Sequence, residues 1–226
     1  FIGKNSFSCI LIEKITIPKN IKKIDENAFR SCENLQIIDL SENSELEFVG
    51  KEAFNNANII QIKGTSFMNK FFEIKDKMIF CKSKENEECF DTLLFACRDI
   101  KHIKVPSYIK YISPYCFSDC KNIESIEFEE NSELISLGNN SFSNSSIEQI
   151  NIPENVKIIE KYAFSYCTQL KTINFAKNSK LEKIGEASFI STGIECIEIP
   201  DLIIKIEENT FNYCCNLQTV HFSTRS

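Results

Sequence analysis

The sequence predicts an α/β-type repeat solenoid of about nine coils. Three observations carry this: a phenylalanine that returns every 22 or 25 residues, prolines 47 residues apart, and an apolar phrase in register with both. Phe7, Phe29, Phe54, Phe117, Phe142, Phe164, Phe189 and Phe211 are separated by 22, 25, 63, 25, 22, 25 and 22 residues. The unit is therefore a pair of coils totalling 47 residues, interrupted once. Pro106, Pro153 and Pro200 stand 47 apart and Pro18 precedes Pro106 by 88, so one coil carries an insertion. Self-similarity at such a period marks architectures whose units bury little alone and share a core when stacked.

The elements of a coil follow in order. Two apolar positions stand eight and five residues before the marker phenylalanine, as in Ile21 and Ile24, Leu134 and Leu137, or Leu181 and Ile184. After the marker comes an L-x-x-I-x-I phrase: Ile12/Ile15/Ile17, Leu35/Ile38/Leu40, Ile123/Ile126/Phe128, Ile147/Ile150/Ile152, Leu170/Ile173/Phe175, Ile194/Ile197/Ile199 and Leu217/Val220/Phe222. Its last half has period 2 and reads as a short strand with one buried face. Ile100/Ile103/Val105, and Ile59/Ile62 with Gly64 in the last place, bring the strands to nine. Stacking aligns them in one parallel sheet, spaced about 4.8 Å apart and about 40 Å long. The rest of each coil reads as turn. Gly3, Gly50, Gly138 and Gly185 lie four residues before a marker, which suggests a backbone angle other residues resist. Pro18, Pro106, Pro153 and Pro200 close alternate strands, where a missing N–H costs least.

Composition removes several function classes. With 42% hydrophobic and 26% charged residues, the 226-residue chain can bury a core and keep its exterior in water. No apolar run approaches the length of about 20 residues that a membrane helix needs, and the first ten residues lack the pattern of a signal peptide. The chain opens in mid-pattern with no recognisable polar cap, so a longer parent and end-to-end self-association of the fragment are both expected. A net charge of −6 without a basic run argues against nucleic acid as a partner.

The phrases "IPKNIKKIDENAFRSCENLQIIDL", "IPENVKIIEKYAFSYCTQLKTINF" and "NSKLEKIGEASFISTGIECIEIP" resemble the leucine-rich repeats of the BspA-like type, found in surface proteins of anaerobic bacteria and protist parasites. The resemblance covers nearly the whole chain. Cys116 and Thr210 depart from the usual Ala before the marker, and residues 65–99 break the rhythm. What the resemblance implies is one solenoid over 1–226, a right-handed arc with its parallel sheet on the concave face and short turns, 3-10 or helical segments on the other side. It also implies a non-enzymatic module, at a cell surface or secreted, that binds a protein such as a host surface or matrix component. An intracellular protein-interaction scaffold of the same fold is the alternative.

The eleven cysteines divide into two groups. Cys32, Cys120, Cys167 and Cys214 each fall three residues after a marker, and the intervening coils put Ile10, Ala57, Ser145 or Thr192 there. Like cysteines are then two coils apart, about 10 Å, too far for a bridge, and the position reads as small buried filler. Cys9, Cys81, Cys89, Cys97, Cys116, Cys196 and Cys215 are less regular, and a Cys81–Cys97 bridge stays open for an oxidising compartment. Close cysteine pairs of metal-site spacing are lacking; Cys89, Cys97 and His102 come nearest, and no metal or cofactor is expected. Within the insertion, 72–74, 78–81 and 93–96 are apolar segments separated by charged breaks, which suit a hairpin or three-strand flap on the solenoid's flank, removable without unfolding.

Between the buried strand positions, side chains point outward. Thr16, Asp39, Lys63, Lys104, Glu127, Asn151, Asn174, Glu198 and His221 form one outward row. Beside it run Lys14, Ile37, Gln61, His102, Ser125, Gln149, Thr172, Cys196 and Thr219. Lys63, Lys101 and Lys104 make a basic centre, and Glu124, Glu127, Glu148, Glu195 and Glu198 make the following coils acidic. These residues, with His102, Asn151 and Asn174, are the candidate ligand-binding face. No catalytic residues are expected: His102 and His221 lie five coils apart, and no phosphate loop, H-E-x-x-H or G-x-S-x-G occurs.

Overall fold

The computed structural model describes residues 1–41, 44–50, 52–63, 71–83 and 89–223. Gly64 and the parts of the insertion at 65–70 and 84–88 lie outside the described residues. The chain forms two compact units, Phe1–Ile100 and Lys101–Ser226.

All nine expected strands are present. In the first unit Lys14–Ile17, Ile37–Leu40 and Gln61–Lys63 form a parallel three-stranded sheet, with Lys14 opposite Ile37 and Ile37 opposite Gln61. In the second, His102–Val105 pairs with Ser125–Phe128, Gln149–Ile152 with Thr172–Phe175, and Cys196–Ile199 with Thr219–Phe222, all parallel. These six strands make three two-stranded ladders rather than the single sheet the sequence suggested. Proline is the reason. The residue that follows the second strand of a ladder donates its N–H back to the first: Ser41 to Ile17 O at 3.2 Å, Glu129 to Val105 O at 3.1 Å, Ala176 to Ile152 O at 3.3 Å and Ser223 to Ile199 O at 2.9 Å. At Pro153 and Pro200 the equivalent N–H does not exist, and the ladder stops. Gln61–Lys63, which is followed by Gly64 instead of proline, does pair with the strand before it.

A second set of strands was hidden in the apolar pairs ahead of each marker. Tyr111–Ile112, Ser136–Leu137, Ile158–Ile159, Lys183–Ile184 and Lys205–Ile206 pair in that order, all parallel, as the continuous sheet of the second unit. Lys23–Ile24 and Phe48–Val49 do the same in the first.

No helix occurs among the described residues, so the α/β label and the helical segments of the expected fold are not supported. The marker turns explain why. At seven of the eight markers the residues two before and two after have positive φ, as at Tyr162 and Tyr166 (both 58°) and Ala187 and Ser191 (50° and 55°), which prevents a right-handed helical run. Their N–H groups bond between coils instead. In each complete step the residues at minus two, zero and plus two donate to the next coil: Tyr162 N to Glu186 O at 2.9 Å, Phe164 N to Ser188 O at 2.7 Å and Tyr166 N to Ile190 O at 2.9 Å.

Inside these turns the markers stack. Ring centroids are 5.4 Å apart for Phe7 and Phe29 and 5.8 Å for Phe29 and Phe54. From Phe117 through Phe142, Phe164 and Phe189 to Phe211 the steps are 4.9, 5.1, 5.3 and 5.5 Å, with ring planes within 20° of parallel. Each such pair adds about 0.5–1.5 kcal/mol beyond the area it buries.

The recurrent glycines owe their place to close approach and not to backbone angle: none has φ in the left-handed region. A Cβ on Gly50 would lie 2.6 Å from Glu26 N, on Gly138 2.7 Å from Pro114 N, and on Gly185 2.6 Å from Lys161 N, in each case the backbone of the coil before. Gly3, with no described coil before it, would meet only the Phe1 ring at 3.7 Å.

Within the insertion, Phe72–Lys75, Met78–Cys81 and Thr92–Ala96 form three antiparallel strands. The last is wholly buried. Phe72, Ile74, Ile79, Leu94 and Phe95 belong to the same apolar cluster as Phe29 and Phe54, and Phe95 packs edge-on against Phe54 at 5.5 Å. The described strands of the insertion thus share the first unit's core, and Phe95 packs on the end of its described phenylalanine stack.

Candidate functional site

Alternation along the strands sets the outward rows. In Gln149–Ile152 and Cys196–Ile199 the first and third residues are exposed and the second and fourth buried. Ile103, Ile150, Ile173 and Ile197 anchor the inner side, with at most 5% of their surface exposed. All eleven candidate residues are exposed. Lys63 lies in the first unit and the other ten in the second.

In the second unit several of those ten are paired, which alters the charge they present. Lys101 and Glu124 meet at 2.7 Å, and His102 Nε2 stands 3.5 Å from the same carboxylate while its Nδ1 is 3.0 Å from Ser125 Oγ. The hydrogen bond and the opposite charge hold Glu124 below the usual carboxylate range and Lys101 above the usual ammonium range. Lys104 lies opposite Glu127 in the ladder and forms an ion pair with Glu129 at 3.4 Å. The expected basic centre is therefore neutralised within this unit by the acids of the following coil. Further along, Asn174 Nδ2 donates to Asn151 Oδ1 at 2.9 Å, and Ser223 Oγ donates to Glu198 at 2.7 Å. Glu127, Glu148 and Glu195 have no ion-pair partner among the described residues, and exposed Lys171, whose N–H donates to Glu148 O at 2.9 Å, stands among them, so these acids outnumber the basic group beside them.

A groove of about 620 Å³, not foreseen from the repeat pattern, runs across the strand ends. It crosses Ser125–Phe128, Gln149–Ile152 and Thr172–Phe175, and its lining includes Glu127, Asn151, Asn174, Phe128, Pro153 and Phe175. It lies over the step where Pro153 interrupts the ladder. The proline spacing was visible; that it would open a groove needed the backbone geometry.

The cysteines three residues after a marker do more than fill space. Cys32, Cys120 and Cys167 are fully buried and Cys214 is half-buried. The Cys167 thiol donates to Phe142 O at 3.0 Å, Cys32 to Phe7 O at 2.9 Å and Cys214 to Phe189 O at 3.0 Å, each reaching the marker carbonyl of the coil before. Burial pushes the Cys167 thiol up to about 11, the opposite of an activated nucleophile. Cys81 pairs with Thr92, whereas Cys97 N bonds Lys77 O at the far end of the hairpin. About 15 Å of strand separates the two, so the Cys81–Cys97 bridge is excluded. Among the described residues no group of three or more His, Cys, Asp or Glu is placed to hold a metal ion. No helix there is long and apolar enough to cross a membrane.

Short parallel strands repeating every 22 to 25 residues, apolar inward and polar outward, with an apolar column behind them, define a leucine-rich repeat solenoid. A family model described as BspA type leucine rich repeat region, in six copies, matches residues 1–87 and 86–218. The chain belongs to the BspA-type leucine-rich repeat family. Among solved structures it is similar to a leucine rich cell surface protein from Faecalibacterium prausnitzii A2-165, at 18% identity and a TM-score of 0.63, over 95% of this chain and 60% of that one. A leucine-rich repeat protein from Bacteroides ovatus ATCC 8483 is 19% identical, with a TM-score of 0.53 over 94% and 56%. The pneumococcal vaccine antigen PcpA is 17% identical, with a TM-score of 0.53 over 100% and 74%. At these identities the likeness concerns the fold, and the chain spans less than two thirds of the first two proteins. Comparison with the curated proteins finds no match.

Proposed function

We propose that this chain is a non-enzymatic module that binds a protein partner, at a cell surface or in the secreted space, through the outward rows of its strands. The carrying observation is a set of three acids on the second unit: Glu127, within a strand, and Glu148 and Glu195, each just before one, are exposed and have no ion-pair partner among the described residues. With the groove at the strand ends, this favours a partner that presents basic side chains. Lys63 belongs to the outward row of the first unit, a candidate surface considered by itself. The surface setting is supported by the neighbour described as a cell surface protein and by the pneumococcal antigen. The test is a pull-down of host surface and matrix proteins, followed by reversal of Glu127, Glu148 and Glu195 to Lys. Capture of a partner whose association slows on reversal and at higher salt is expected. Equal binding by the reversed chain to the same partner refutes this face.

A second reading, a scaffold in a reducing compartment, is favoured by the exposed thiols of Cys9, Cys89, Cys196 and Cys215. Membrane-impermeant labelling of intact cells separates the two settings.

A further inference from the structure

The groove at the strand ends carries a chemistry that the outward rows alone do not. Phe128, Pro153 and Phe175 come from three successive coils, are each half-buried, and line it together. Two coil steps separate the phenylalanines, about 10 Å, so the apolar part of the lining is an elongated strip. The volume of about 620 Å³ falls within the roughly 300–1,000 Å³ of small-molecule sites.

Several polar groups along this strip are already held in place. Glu129 pairs with Lys104 at 3.4 Å and accepts the Ser107 N–H at 3.1 Å. Glu154 pairs with Lys180 at 3.7 Å, and Lys180 Nζ also donates to Asn155 Oδ1 at 2.7 Å. Asn155 Nδ2 donates to Ser132 O at 2.8 Å, and Ser132 Oγ accepts the Leu134 N–H at 3.3 Å.

Other lining groups stay open. Asn174 Nδ2 donates to Asn151 Oδ1 at 2.9 Å. That bond leaves Asn151 Nδ2 as a donor and Asn174 Oδ1 as an acceptor, adjacent and without a partner among the described residues. The Glu127 carboxylate has no ion-pair partner there either. An adjoining donor and acceptor match a hydroxyl-rich ligand, because each hydroxyl both donates and accepts. A carboxylate that accepts from hydroxyls fits the same ligand, and half-buried phenyl rings fit the C–H face of a sugar ring. A lysine or arginine side chain fits less well, since Lys104 and Lys180 already hold Glu129 and Glu154 and repel a further cation. Glu127 in turn repels an anion.

From this arrangement we propose that the groove binds a neutral oligosaccharide. Its sugar rings lie along Phe128, Pro153 and Phe175, and its hydroxyls bond Asn151, Asn174 and Glu127. This ligand goes beyond the protein partner of the outward rows and does not depend on it.

The test is titration of the 226-residue chain with three neutral disaccharides, cellobiose, maltose and lactose, followed by the amide shifts in NMR. At least one should give saturable shifts within 126–129, 151–155 and 174–176, with a dissociation constant of about 1–10 mM. The double variant Asn151→Ala, Asn174→Ala changes two exposed residues, so its circular dichroism spectrum should match the wild type while its binding weakens about tenfold or more. Glu127→Gln, of nearly the same shape, should also weaken binding. Tetralysine serves as the cationic comparison. No saturable shift from any of the three sugars, shifts confined to other residues, binding that either variant leaves unchanged, or the groove amides responding to tetralysine and to no sugar overturns the proposal.

Discussion

Single residues fit this fold for reasons that separate backbone from side chain. Because a Cβ at Gly185 would enter the Glu160–Lys161 backbone, Gly185→Ala should cost about 1–3 kcal/mol in urea unfolding, and Gly3→Ala should cost far less. The glycine positions were legible in the sequence; their cause was not, since a tight backbone approach and an unusual φ leave the same spacing. Ser141 and Ser188 stand immediately before a marker, where other coils place Ala28, Ala53 and Ala163, and their hydroxyls are buried without a partner among the described residues. Ser188→Ala should therefore raise stability by about 1 kcal/mol. Cys167 gives a pH dependence whose sign is fixed by burial. Its folded-state value of about 11 lies above the ordinary thiol value of 9.0, so the unfolded chain loses the proton first. The stabilisation is complete below pH 9 and falls as pH rises toward 11. Chemical denaturation from pH 8 to 11 should show a steeper loss for the wild type than for Cys167→Ala, and parallel curves would contradict this.

At the scale of elements, periodicity revealed strands well and gaps poorly. The nine L-x-x-I-x-I strands were legible because period 2 survives in three residues. The two-residue strands ahead of each marker were not, because an apolar pair three apart carries no period of its own. Phe95 was missed for a similar reason. It stands 22 residues before Phe117, the ordinary coil spacing, yet 41 after Phe54, so the insertion hid the register. Its burial and its contact with Phe54 imply that Phe95→Ala costs about 3–5 kcal/mol, measured as a lower denaturation midpoint of the first unit. A change within 1 kcal/mol would return the insertion to the status of a dispensable flank. Pairing of the strands shows how one atom sets an element: a proline nitrogen without hydrogen ends a ladder, and the groove opens over that step.

For the molecule as a whole, each coil is stabilised by its neighbours, through stacked rings, backbone bonds and ion pairs such as Lys161–Glu186 at 2.7 Å. The outward face was legible in position, because all eleven candidate residues are exposed, but not in charge, because cross-coil pairing of Lys101 and Lys104 depends on register. The central claim is that coils lie on one another with the marker turns bonded forward in sequence. Residue-resolved amide exchange at dilute protein concentration tests it most directly. The N–H groups of Tyr162, Phe164 and Tyr166 should be strongly protected, and those of Asn209, Phe211 and Tyr213 should exchange quickly. Fast exchange at Phe164, or equal protection in both sets, would contradict the stacked-coil account.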